Sequence, residues 1–118
     1  MSTKKDEAIA LEQAQAWTGD AILGLFVREW ILENHSKVDG GMFGRFTSNA
    51  TLAEFGNPTS VEAEIGRVYE SDGLEAAYAV LREKHLPVFL RREKTYQNSL
   101  KQKAAAKSKS SKRSRWKR

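Results

Sequence analysis

Ala16-Trp17-Thr18-Gly19-Asp20-Ala21-Ile22-Leu23-Gly24 sits inside a run that reads as one helix from about Glu7 to about Glu33. Ala16, Leu23, Phe26, Val27, Trp30 and Ile31 recur at close to the helical repeat and mark one apolar face. Asp20 falls on or beside that face. Its carboxylate is therefore expected to pair with an arginine such as Arg45 or Arg67, or to bind a cation. Gly19 sits mid-helix, where glycine costs about 1 kcal/mol against alanine. A glycine in that position points to close approach of another backbone or of a ligand.

Outward from this helix, Met1 to Asp6 reads as a frayed lead, and Asn34-His35-Ser36 as an ordinary helix end. Lys37 to Gly44 is a loop with its clearest turn signal at Asp39-Gly40-Gly41. Met42 to Phe55, with Phe43, Phe46, Leu52 and Phe55, predicts a second helix or a pair of short ones, broken by Gly56-Asn57-Pro58. Thr59 or Ser60 is the expected cap of the next helix, whose apolar stripe is Val61, Ile65, Val68 and Tyr69. Glu62 borders that stripe. Asp72 is the expected cap of a fourth helix, Leu74 to about Lys84, which His85-Leu86-Pro87 should end. Pro87 then opens a fifth helix that fades through Tyr96 and Leu100. No stretch alternates like a strand, so the chain is expected to be all-α. Phe26, Trp30, Phe43 and Phe46 are read as core or as a surface between two copies.

The 118 residues favour one domain, here a helical body over 7–100 between a flexible lead, 1–6, and a tail, 101–118. Without cysteine there is no disulfide framework and no thiolate metal site. The polar start does not read as a signal peptide, and no apolar run approaches bilayer length, so the expected location is cytoplasmic, with no membrane partner. The net charge of +5 is unevenly spread. The last 18 positions hold 9 of the 20 basic residues and no acid, leaving 11 basic against 15 acidic residues before them. The tail is expected to be disordered and to bind a polyanion through phosphate contacts from Lys109, Lys112, Arg113, Arg115, Lys117 and Arg118.

Three blocks, in order, resemble the catalytic domain of the ribonuclease III superfamily. Ala16 to Gly24 resembles its signature helix. Thr47-Ser48-Asn49-Ala50-Thr51-Leu52-Ala53 is similar to the helix that follows. Val61 to Tyr69 with Asp72-Gly73-Leu74-Glu75-Ala76-Ala77 resembles the second acidic helix and the turn after it. The blocks span nearly the whole body. Ala16 and Thr59 stand where standard members carry acids, and the small subclass called mini-ribonuclease III departs in the same two places. Only Gly56-Asn57-Pro58 joins the middle block to the second acidic helix, where the family usually has a long segment.

The resemblance implies a compact all-α, dimeric, metal-dependent endoribonuclease that cuts double-stranded or structured RNA. It implies Asp20 and Glu62 as catalytic residues and ligands of Mg2+, with Mn2+ as a substitute, and ribosomal RNA maturation as the setting. Magnesium needs only one or two protein carboxylates beside substrate phosphate, which this pair could supply. The alternative is an inactive ribonuclease III-like, RNA-binding or ribosome-associated protein, in which Asp20 and Glu62 are relics.

Overall fold

A computed structural model of the chain describes the backbone of residues 3–116 and the side chains of residues 3–108. Among these residues every regular element is helical: α1 (Lys4–His35), α2 (Gly40–Thr47), α3 (Asn49–Leu52), α4 (Pro58–Asp72), α5 (Leu74–Val80), a π turn (Leu81–His85) and α6 (Leu86–Trp116). No helix among them is long and apolar enough to cross a membrane.

The long helix α1 starts at Lys4, earlier than its apolar pattern suggests, because Thr3 and Asp6 form a capping box. The Thr3 hydroxyl accepts from the Asp6 N–H at 3.1 Å, and the Asp6 carboxylate accepts from the Thr3 N–H at 3.3 Å. It ends at Ser36, which takes the left-handed conformation at φ 59°. The predicted face is the buried one: Ala16, Leu23, Phe26, Val27 and Ile31 are inside together with Gly19, Ile22 and Gly24, while Trp30 is half-buried.

The run from Met42 to Phe55 is a pair of short helices. Ser48 ends α2 and caps α3 by accepting from the Thr51 N–H at 3.2 Å. Asp39, expected in a turn, caps α2 by accepting from the Met42 N–H at 2.9 Å. The cap of α4 is Asn57 and not Thr59 or Ser60; its side-chain oxygen accepts from both their N–H groups, at 3.0 and 3.3 Å. Pro58 fills the first helical position, where a missing N–H is harmless. Asp72 is the last residue of α4, and Gly73 at φ 91° turns the chain into α5, so Asp72 caps nothing.

The expected break at His85-Leu86-Pro87 does not occur. The helix widens instead, and the Leu86 N–H donates to the Leu81 carbonyl, five residues back. Proline lacks an N–H and crowds the carbonyl four residues before it. The wider π register accommodates both demands at Pro87 and keeps the chain helical from Leu74 through α6. That helix continues to Trp116, so residues 101–116 of the tail expected to be disordered are helical here. Ala104-Ala105-Ala106 and the alternating lysines are good helix formers, and extending an existing helix needs no new nucleus.

The core lies where α1 meets α4, with α2, α3, α5 and the start of α6 closing its sides. Phe46 sits between Trp30 and Phe89, with ring centroids 5.6 and 5.5 Å away. Phe26 meets Tyr78 edge-on at 5.2 Å. The α1–α4 crossing is made by two glycines. A Cβ on Gly19 would overlap the Glu62 carbonyl, and a Cβ on Gly66 would overlap the Gln15 carbonyl. Both obstacles are backbone and cannot swing aside.

Gly66→Ala is therefore expected to force the helices apart, at a cost on the order of 1–3 kcal/mol or more. For a body of this size that is a fall in melting temperature of roughly 4–15 °C or more. Gly44→Ala in α2, where a Cβ would meet nothing within 4 Å, should instead leave the melting temperature unchanged or raise it. Thermal unfolding of the two variants beside the wild type checks both.

Candidate active site

The glycine crossing decides where Asp20 and Glu62 go. Gly19 seats its backbone on the carbonyl of Glu62, and Asp20 is the next residue of α1. The two carboxyl groups come close across the crossing, near enough for Asp20 to act on the titration of Glu62. Asp20 is exposed and Glu62 half-buried. Burial, the hydrogen bond to Asp20 and the nearby Asp20 charge, in that order, push the Glu62 carboxyl from an ordinary 4.5 up to about 7. Glu62 thus holds a proton close to neutrality, which a lone surface glutamate does not.

Neither arginine considered as a partner reaches Asp20. Arg45 pairs with Glu93 at 2.7 Å, and Arg67 donates to the Gln15 side-chain oxygen at 3.4 Å. Among the described residues no cation pairs with Asp20, and its neighbour is a second acid. Ala16, one turn before Asp20, is buried, and Thr59, one turn before Glu62, is exposed in the first turn of α4. Glu64 is taken up by Lys84 at 3.1 Å.

Two carboxyl groups held close present hard oxygen donors to one point, and a divalent cation there would offset both the burial and the neighbouring charge that raise the Glu62 pKa. That donor set suits magnesium, which keeps most of its water and takes few protein ligands. Among the described residues no group of three or more Asp, Glu, His or Cys side chains gathers at one point. The site is thus this pair, and a substrate phosphate or water would have to complete any coordination shell.

The proposed phosphate-binding residues fall beyond what can be placed. Lys117 and Arg118 lie outside the described residues, as do the side chains of Lys109, Lys112, Arg113 and Arg115. Two polar groups went unrecognised in the sequence. Glu93 is buried on the inner side of α6, gripped by Arg45 and by Gln97 at 3.2 Å. His85 is fully buried beside Phe55, with ring centroids 4.5 Å apart, and its Nε2 has no hydrogen-bond partner. Burial lowers its pKa. The signal was present: Leu81, His85, Phe89 and Glu93 recur every four residues across Pro87, one continuous helix face.

Comparison with protein-family models, with curated proteins and with solved structures returns no match.

The acid pair predicts a specific pH dependence. Because Glu62 has a folded-state pKa above its ordinary value, the folded chain keeps a proton that the unfolded chain releases between pH 4.5 and 7. The wild type therefore loses stability from this group as pH rises through that window. Glu62→Gln cannot titrate. It should match the wild type near pH 4.5 and be the more stable protein above pH 7, as measured by urea unfolding in chelator.

Proposed function

We propose that this chain is a ribonuclease III-type endoribonuclease of the mini class, a cytoplasmic homodimer that cuts double-stranded or structured RNA with Mg2+, or Mn2+, in ribosomal RNA maturation. The observation that carries the reading is the meeting of Asp20 and Glu62 across the α1–α4 crossing, with no cation among the described residues paired to Asp20. A purely structural pair of surface residues would more economically be an acid and a base. Here two acids are brought together where the backbones of α1 and α4 touch.

Within this reading Asp20 and Glu62 would hold the metal through their oxygens, and Glu62 would have to release its proton to do so. A bound magnesium ion makes water more acidic and neutralises phosphate oxygens, which is the chemistry phosphodiester hydrolysis requires. The basic segment Lys101–Arg118 holds the polyanion near an otherwise acidic body through salt-sensitive phosphate contacts. A second reading, an RNA-binding protein without catalysis, is favoured by the neutral Ala16 and Thr59 at positions one turn before each acid.

Cleavage of a labelled RNA duplex in magnesium at low salt separates the two. Staggered products from the wild type are expected, with Asp20→Asn and Glu62→Gln slower by at least on the order of 100-fold, the scale of removing one electrostatic stabiliser. Both variants should still bind RNA. Binding without cleavage by the wild type, in magnesium and in manganese, would establish the second reading.

The dimer has a surface to use. Ala10, Ala14, Trp17, Ala21, Leu25 and Leu32 follow one another along the outer face of α1, away from the core, and all are exposed. Trp17 is 84% exposed and Leu32 50%. Buried on a second copy, a tryptophan is the kind of anchor that dominates an interface. Trp17→Glu is expected to convert a dimer to a monomer in sedimentation at micromolar concentration, with its helical content unchanged.

A further inference from the structure

A groove of about 660 Å³ opens between α2–α3 and α6, on residues that the acid pair does not use. Its floor is rigid. The Arg45 guanidinium donates to both Glu93 oxygens at 2.9 and 3.0 Å and lies over the Tyr96 ring at 4.0 Å. The Thr51 hydroxyl donates to the Arg45 carbonyl at 2.6 Å, which ties α3 to the same point. Glu93 is thereby neutralised inside the protein.

The rim differs. Arg91 and Arg92, adjacent on α6, both reach across to Glu54 after α3. Arg91 donates to one carboxylate oxygen at 2.9 Å and Arg92 to the other at 3.1 Å. Their side chains are 64% and 41% exposed, so this clamp is a wet one and contributes little to stability. A carboxylate gripped by two guanidinium groups marks the position and geometry of an anion with two oxygens to offer, which a phosphodiester also has. Beyond the rim, Arg92, Ser99, Lys103 and Lys107 fall within about 80° of one another on one side of α6, over about 22 Å of helix. From Arg91 to Lys107 the only acid is Glu93, already paired with Arg45.

We infer that this groove and the α6 ridge above it form a second contact site for the phosphodiester backbone of RNA, with the Glu54 carboxylate occupying the first phosphate position until RNA displaces it. The inference rests on the proposed RNA-binding function and deepens it. The backbone would enter between Arg91 and Arg92, release Glu54 to water, and run along Lys103 and Lys107 toward the basic C-terminal segment. Base identity plays no part, because the exposed donors are guanidinium, ammonium and hydroxyl groups suited to phosphate. A second acidic protein is the competing occupant. The three cations Arg92, Lys103 and Lys107 along one side of α6 favour an extended polyanion.

The test measures binding of a fluorescent RNA duplex by the full-length chain across a salt series. Arg91→Gln/Arg92→Gln should weaken binding about tenfold and reduce the slope of log affinity against log salt by roughly one to two. Glu54→Gln should tighten binding severalfold, because it removes the competing carboxylate. At saturating RNA all these variants should cleave at the wild-type rate, since none touches Asp20 or Glu62. Melting temperatures close to wild type verify folding, and Arg91→Lys/Arg92→Lys should restore most of the salt slope. If wild type and groove variants bind RNA equally, the inference fails and the RNA reading stands. If the wild type binds no RNA at low salt, both fail. If poly-glutamate competes for the groove as well as RNA does at equal charge, the groove is a docking face for acidic protein and the inference is overturned.

Discussion

The backbone contact between α1 and α4 at Gly19 and Gly66 sets the rest of the structure. Two helices can come this close only if both lack a Cβ at the crossing, and each glycine lies under a carbonyl of the other helix. The gain is close packing of Leu23 and Val27 against Val61 and Ile65, all essentially inside. The loss is the helical propensity of two mid-helix glycines, about 1 kcal/mol each. Burial of several large aliphatic side chains, each contributing roughly 1.5–3 kcal/mol, outweighs it.

The same contact forces Asp20 and Glu62 together, and there the folded chain is working against itself. Burial first, and the neighbouring Asp20 second, raise the Glu62 pKa to about 7, so the native state is at odds with its own charge above neutrality. A lysine or asparagine in either place would remove the conflict. Arg67 stands one turn further along α4 and Arg45 on α2, and both are engaged elsewhere. A cation bound there, as proposed, would relieve this local cost.

Much of this was legible in the sequence, for identifiable reasons. Gly19 inside a strong helical pattern announced a close approach, and the apolar face of α1 was read correctly because its period is unbroken. Glu62 could be placed at the edge of its stripe by counting. What escaped detection was context. Asn57 outcompeted Thr59 and Ser60 as a cap because its side chain reaches both their N–H groups, and Pro58 filled the first helical position behind it. Pro87 looked like a terminator because a proline rule considers one helix geometry, whereas the chain had the wider π turn available. Reading a break there hid the face that runs Leu81, His85, Phe89 and Glu93. It also hid the two polar residues that the fold buries, His85 and Glu93.

Those two residues explain why α6 can be two things at once. Its first turns belong to the core: Phe89 stacks with Phe46, and Glu93 is locked to Arg45 on α2. Beyond Glu93 every described side chain is exposed. A free helix of that composition would be marginal in water, because starting one is the costly step. Anchoring its first turns in the core supplies the nucleus, and the alanines and lysines extend it. The buried ion pair is then more than a stabilising contact. It sets the direction in which α6 leaves the body, and so where its row of cations stands relative to the groove beneath.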